Sequence, residues 1–539
     1  MAMTSLPRFF VLQAPSGGPY LCPVENPLTN RPSSLLRCGE SQILSPRVKF
    51  ATELSKTGDV TLVHIRSCFN NKYWVAHKSQ GTFWIVAAAD KPHEDTTNPA
   101  CTLFRAYSNL TSQKTPHFQF LSICKSMYVV NVGDSVGGLA LQSDEGHTFP
   151  VVDWETLVIL PSKVSFKSDD LSGNYLCSRV QDRYYNYHKF EPGLDIGDPR
   201  VAHELFPTSN GNYRIKSLYY GKFWRRSPNW IWADAEENGH SNDTLFSFVK
   251  ISDKLFALRN LGNNYFCGAL TTEGKTNCLN AHYPTMSRQT RLMVEERTLQ
   301  RDISNVRYRL SHSRIYQEEI QEVSHAFATN DSLDKETTIT LTYSISDSRT
   351  ATWTNSVSMT FGIKATFAVD SIPLIAKNGI EVSSEFSHTH QWGEANTTEQ
   401  KRESSYAVLV PPLTTMKVTL MCTKAACDVP FSYTQHDLLT NGERLTTVKD
   451  DGVYTGINSY NFYFQSSEVD KVGQPRTLAL ANPDFKDSKV DKVDQGRTLA
   501  LANPDFTVKD KRVRLYIKLL FVMFIGRVTY KLFHSLFSK

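Results

Sequence analysis

Ile65-Arg66-Ser67, followed by Lys72-Tyr73-Trp74 and then Trp84-Ile85-Val86-Ala87-Ala88-Ala89, decides the fold because it occurs twice. It returns as Ile215-Lys216-Ser217, Lys222-Phe223-Trp224 and Trp230-Ile231-Trp232-Ala233-Asp234-Ala235. Working outward, Leu6-Pro7 is matched by Leu160-Pro161, and Tyr20-Leu21-Cys22 by Tyr175-Leu176-Cys177. A repeat carried in the same order over such a span means two homologous domains, with insertions taken up by loops rather than strands. Each domain repeats again within itself. An aromatic after a turn-forming stretch recurs at Tyr20, Tyr73 and Tyr128, and then at Tyr175, Phe223 and Tyr265. The segments between are short apolar runs such as Val60–Ile65 and Met127–Val132, broken by Gly, Asn, Asp and Ser. Three such β-rich units per domain predict a β-trefoil, with a generic β-sandwich as the competing arrangement.

Composition sets the outer bounds. The chain has 539 residues, 40% hydrophobic and 21% charged, with 27 Gly and 24 Pro. This is the composition of a globular protein and excludes a coiled coil, a collagen or a disordered chain. The net charge of +5 comes from residues 509–539, which hold eight Lys or Arg against one Asp. The rest of the chain is slightly acidic, so no basic face marks it as a nucleic-acid binder. Ten cysteines occur without a C-x-x-C pair or other metal-ligand spacing. The first residues, MAMTSLPRFFVLQAPSGG, contain no apolar run of signal-peptide length. The expected location is therefore cytoplasmic or nucleocytoplasmic as synthesised and membrane-associated once oligomerised, with reduced thiols. The sequons at Asn109, Asn242, Asn330 and Asn396 then read as chance matches.

After Tyr283-Pro284 the pattern changes. A charged stretch with a short helix around Leu292–Ile303 is expected first, then long strands rich in Ser and Thr. Residues 353–392 are the most informative. Trp353, Asn355, Val357, Met359, Phe361, Ile363, Ala365, Phe367 and Val369 alternate with Thr354, Ser356, Ser358, Thr360, Gly362, Lys364, Thr366, Ala368 and Asp370. After a break carrying Ile372, Leu374 and Ile375, alternation resumes with Ile380, Val382, Ser384, Phe386, His388, His390 and Trp392 on one face. Both arms exceed the ~9–11 residues of a membrane-crossing β-strand. An ordinary half-buried sheet has the same period. What separates the two readings is a polar face nearly free of apolar residues in both arms, and an apolar tip.

These residues carry two resemblances. Asn71-Lys72-Tyr73-Trp74-Val75, Phe83-Trp84-Ile85 and Cys101-Thr102-Leu103-Phe104 resemble the first domain of amaranthin-type agglutinins. Val201-Ala202-His203, Thr208-Ser209-Asn210-Gly211, Lys222-Phe223-Trp224-Arg225 and Asn277-Cys278-Leu279-Asn280-Ala281 resemble the second. Residues 300–467, including Val306–Ile315, Thr337–Tyr343, Tyr406–Val410, Met416–Cys422 and Val453–Tyr460, resemble the aerolysin-type pore-forming module. The whole is similar to plant proteins that fuse the two. The first resemblance implies binding of galactose and N-acetylgalactosamine glycans by a head-to-tail homodimer. Its sugar site lies in the loop before the Trp-Ile strand, here Ser79, Gln80, Gly81, Phe83 and Trp84, with Phe83 where the family has Tyr. Trp230 is the candidate at the repeated position. A pyranose needs such a set, an aromatic platform for its C–H face beside fixed donors and acceptors. Trp74, Trp154 and Trp224 read instead as core. The second resemblance implies a ring oligomer that releases a membrane hairpin, lined by Val357, Met359, Phe361, Ile363, Phe367, Val369, Ile372, Leu374, Ile375, Ile380, Val382 and Phe386. Closure into a barrel is obligatory, because an open hairpin leaves backbone groups unpaired in lipid.

No catalytic residue, metal or cofactor is expected. Gly133-Asp134-Ser135-Val136-Gly137 matches G-x-S-x-G literally, yet a nucleophile elbow needs a helix after it, and Gly138–Gln142 reads as a strand. The expected organisation is all-β: trefoils at 1–155 and 156–286, a linker at 287–305, an elongated antiparallel aerolysin-like module at 306–467, and a tail at 468–539. In the tail, Lys471–Phe485 recurs as Lys492–Phe506 with two changes in fifteen. Leu519–Gly526 is too short to span a bilayer. The tail reads either as an interfacial basic helix or as translated non-coding sequence. Two functions follow. One is a glycan-targeted pore former, used in defence. The other is a tandem lectin whose third domain serves oligomerisation or stress-related glycan signalling.

Overall fold

Short strands closed into two barrels, followed by strands of up to 26 residues, make up the chain. The computed structural model describes residues 5–25, 31–109, 115–133, 137–181, 184–355, 365–384, 389–469, 475–481 and 486–487. Strand accounts for 63% of it, and no helix reaches seven residues.

Each repeat builds one twelve-stranded, closed β-trefoil. In the first, Phe9–Leu12 pairs with the last strand, Phe149–Asp153, and with Phe50–Leu54. The tryptophan shared by the two repeats is central to both cores. Trp74 is fully buried, with Phe50, Phe104 and Phe120 against it at 5.7, 5.8 and 5.8 Å. Trp224 holds the same place in the second core, with Phe166 at 5.6 Å and Phe246 at 5.9 Å. Burial of such a ring stabilises the fold by roughly 1.5–3 kcal/mol, which explains why the motif around it survived duplication. Trp154 is buried as well, in the small core beside the junction of the two barrels.

The second barrel closes later than the sequence suggests. Lys163–Ser168 pairs with Arg291–Glu296 over Val164↔Glu296 to Ser168↔Leu292. The expected linker at 287–305 and its short helix are replaced by a 3-10 turn, Arg288–Thr290, and two strands, Arg291–Glu296 and Thr298–Tyr308. Leu292 and Val294 alternate into the trefoil core, and this period-2 burial overrides the charged, helix-like composition.

The third region is one elongated assembly, antiparallel except where Thr366–Ala368 meets Thr298–Tyr308 in parallel at Asp302↔Thr366. Its spine is the hairpin of Thr414–Leu439 and Arg444–Val469, whose length is roughly 85 Å at a rise of ~3.3 Å per residue. Thr298–Tyr308 and Arg314–Asn330 pair in succession along one side of Thr414–Leu439. Thr337–Asn355 pairs with Arg444–Val469 at one end and with Ala395–Val410 over Thr337↔Val410 to Thr352↔Ala395. Residues 353–394 therefore join the two partners of one ladder. The expected boundary at 467 falls inside the strand ending at Val469, and Pro475–Ala481 pairs back onto that strand. The second copy of the tail repeat and Leu519–Gly526 lie outside the described residues, as do Asp134, Ser135 and Val136 of the G-x-S-x-G match. All ten cysteines are free thiols.

Candidate functional site

The predicted sugar loop is a two-residue hairpin. Tyr73–Ser79 and Thr82–Ala89 pair down to Ser79↔Thr82, leaving Gln80 at φ 48° and Gly81 at φ 79°. Both angles are left-handed, the geometry that matches strand twist in a tight hairpin. Ser79, Gln80 and Gly81 are thereby set at the tip, with Gln80 and Gly81 exposed. Phe83 and Trp84 are neighbours on one strand and so point to opposite faces. Phe83 is half-buried, with the ammonium groups of Lys78 and Lys125 at 5.5 and 5.3 Å from its ring. Trp84 is 4% exposed, packed on Leu35, Val130 and Ala140, with the Arg31 guanidinium 4.0 Å from its ring centroid.

The repeated position has the same plan in different residues. Trp230 packs with Tyr187 and Cys278, and its Nε1 donates to Glu273 Oε2 at 2.9 Å. Lys275 lies 4.9 Å from its ring. Tyr187 stacks at 4.2 Å on Trp232, which stays half-buried. In both trefoils a cation therefore covers the tryptophan of the Trp-Ile strand. Arg31, Tyr187, Glu273 and Lys275 carry no sequence signal, since they come from other strands and loops. Trp232 could have been found two residues from Trp230.

The amphipathic segment is folded against the module. Ala365, Phe367 and Val369 are buried, while Thr366, Ala368 and Asp370 are exposed, as the alternation predicts. Ile372–Ala376 and Gly379–Ser383 form a small hairpin, with Ile372 and Ile375 buried, Leu374 and Ile380 packed beside them, and Val382 exposed. These side chains share one core with Trp353, Phe431 and Tyr454. Trp353 Nε1 donates to the Tyr308 hydroxyl at 2.9 Å, and His390 lies 4.2 Å from the Trp353 ring. The apolar tip is thus covered rather than left as a surface loop. Val357, Met359, Phe361, Ile363 and Phe386 lie outside the described residues.

Arginines tie the module to both trefoils. Arg314 reaches Glu53 of the first trefoil at 3.3 Å and Asp428 of the module at 3.0 Å. Burial pushes the Glu53 carboxyl up, but the hydrogen bond from Tyr73 and the charges of Arg66 and Arg314 bring it below its ordinary value. Arg301 sits between Glu296 of the second trefoil at 2.5 Å and Asp437 at 2.7 Å. Among the described residues no group of carboxylates, histidines and cysteines is placed to hold a metal ion.

Two covered-aromatic trefoils joined to a long-stranded module with a folded-down amphipathic hairpin define a lectin fused to a module of the pore-forming class. The chain belongs to the agglutinin family: the Agglutinin domain model matches residues 4–142 and 160–294, more than half of its length. The Aerolysin toxin model follows at residues 287–438. Neither is an enzyme fold. No curated protein sequence matches the chain. Among solved structures, lamprey immune protein is similar at 12% identity and TM-score 0.26, covering 65% of this chain and 86% of that one. An aerolysin-like protein of Bombina maxima is similar at 14% identity and TM-score 0.22, covering 31% and 98%. The BEL β-trefoil is similar at 17% identity and TM-score 0.22, covering 27% and 99%.

Proposed function

We propose that this protein binds galactose- and N-acetylgalactosamine-containing glycans through its trefoils and delivers its aerolysin-like module to the membrane that bears them. There the chain, a homodimer through its trefoils, assembles into a ring, and each copy inserts the hairpin of residues 353–392 into a shared β-barrel. Multivalent capture raises the local concentration of modules, and closure of the barrel satisfies every strand edge in lipid. The expected role is defence. The observation that supports the reading most is that Ala365, Phe367, Val369, Ile372 and Ile375 of the alternating segment are buried together in the resting module of a chain with two agglutinin domains. The proposed glycan contacts are the hairpin tip Ser79–Gly81 and Phe83, while Trp84 and Trp230, each 4% exposed beneath a cation, support the site from below rather than offering an open ring.

The test is dye release from vesicles with and without a terminal-galactose glycolipid. Release is expected only with the glycolipid, and Phe83→Ala, at the half-buried ring beside the hairpin tip, is expected to lower both binding and release. Agglutination of glycolipid vesicles without leakage would leave a tandem lectin and remove the pore.

A further inference from the structure

We propose that Asn458 is the catch that holds the hairpin tip down, a positioning residue for release. The inference rests on reading residues 353–392 as the inserting segment. The tip strands, Ile372–Ala376 and Gly379–Ser383, form a two-stranded sheet of their own rather than extending the module's ladder. The side chain of Asn458 joins their backbone, at Ile375, to the strand behind them. Ile375 N–H donates to Asn458 Oδ1 at 3.0 Å, and Asn458 Nδ2 donates to Ile375 C=O at 2.9 Å. The second Nδ2 proton goes to the Ser459 carbonyl at 3.1 Å. The amide thus reads both polar groups of one residue as a neighbouring strand would, with both of its protons used.

Position and chemistry agree. Asn is a poor strand former, and a buried amide costs free energy unless it is paired, so a spine strand would be better served by Val or Thr. Yet Asn458 is 3% exposed in the middle of Arg444–Val469, and its ladder partner is the small Ala425, which leaves room for the tip. Ile372 and Ile375 add contact without direction. The amide supplies the direction, since it pairs with Ile375 only while the tip is docked. Once the tip leaves, water satisfies Asn458. The interaction is therefore made in one of the two states alone, which is what biases an equilibrium.

The experiment uses the full chain in solution, without membranes, and follows hydrogen exchange of peptides covering residues 372–384 against the rest of the module. Asn458→Ala strands the N–H and C=O of Ile375. Asn458→Asp keeps the acceptor and turns a carboxylate toward two carbonyls. Both are expected to speed exchange at the tip by roughly ten- to a hundredfold, the equivalent of one stranded buried pair, and to leave the spine unchanged. Release from glycolipid vesicles should quicken in the same variants. Unchanged tip exchange in both variants overturns the catch, and so does loss of protection throughout the module, which would make Asn458 a residue of the fold. Faster tip exchange with no leakage from either variant or wild type sinks the pore reading and leaves the catch standing.

Discussion

His188 and His203 lie fully buried against Trp224, at 4.3 and 5.0 Å from its ring. Among the described residues neither ring nitrogen of His188 has a hydrogen-bond partner, and His203 has one, the Leu176 carbonyl at 3.3 Å. Burial drives both pKa values down. That of His188 falls well below its ordinary value, with His203 adding to the effect, and that of His203 falls to about 3. Unfolded histidines titrate near 6.5. Below that pH the unfolded chain takes up protons that the folded trefoil refuses, so stability is complete above about pH 6.5 and is lost as pH falls. For His203 the loss reaches about 2 kcal/mol by pH 5, and His188 adds to it in the same direction. Replacing His188 with Phe is expected to shrink the gap between the urea midpoints of the second trefoil at pH 7.5 and pH 5. An unchanged gap would mean that the acid sensitivity comes from other groups. In the sequence His203 stands only in the Val201-Ala202-His203 match and His188 in no motif, because their shared pocket is assembled from strands distant in sequence.

At the scale of elements, the sequence made the faces of the hairpin plain and its resting register invisible. Alternation names which side chains share a face, and Ala365, Phe367 and Val369 are buried as their parity requires. Alternation is silent on pairing, since any shift by two residues keeps the same face inward. The repeat around Trp74 and Trp224 was readable for the same reason, as spacing within strands. The Arg31 and Lys275 covers were not, being contacts between strands. The stem ladder ends at Thr352↔Ala395, whereas further out Phe367 opposes His390 and Ile372 opposes Ser383. Continued in the stem's own register, fifteen residues on from Thr352 and fifteen back from Ala395, Phe367 would oppose Ile380. The resting hairpin is thus stored out of register with the stem that feeds it, by ten residues at Phe367 and by eight at Ile372, and a continuous membrane hairpin requires it to slide. Paired cysteines report this directly. Phe367→Cys with His390→Cys should crosslink in solution, and Phe367→Cys with Ile380→Cys only after glycolipid vesicles are added. Crosslinking of the second pair in solution, or of the first pair in leaking vesicles, would rule out the slide.

For the whole molecule, the decisive feature is how little chain separates lectin from module. Arg297 alone lies between the last trefoil strand and the first module strand. Its guanidinium bonds Ser165 Oγ at 3.1 Å and the Ile196 carbonyl, while its backbone carbonyl accepts from Thr440 N–H at 3.0 Å. With no free linker, a trefoil seated on a glycan also sets the direction of the module, and the arginines at the joints hold that direction. Arg301 is the more consequential, because both of its partners are buried. The side chains of Glu296 and Asp437 are 8% and 7% exposed, and burial pushes the Glu296 carboxyl up against the pull of Arg301. Removing the cation leaves two desolvated carboxylates with each other, a loss of about 3–5 kcal/mol. Arg301→Leu should therefore lower the urea midpoint of the module sharply, whereas Arg314→Leu, whose partners Glu53 and Asp428 are 34% and 16% exposed, should lower it less. The origin of the loss can be separated from its size. If stranded charge causes it, adding Glu296→Gln and Asp437→Asn to Arg301→Leu restores most of the midpoint. If the attraction itself carried the joint, the triple variant would be no more stable than the single one.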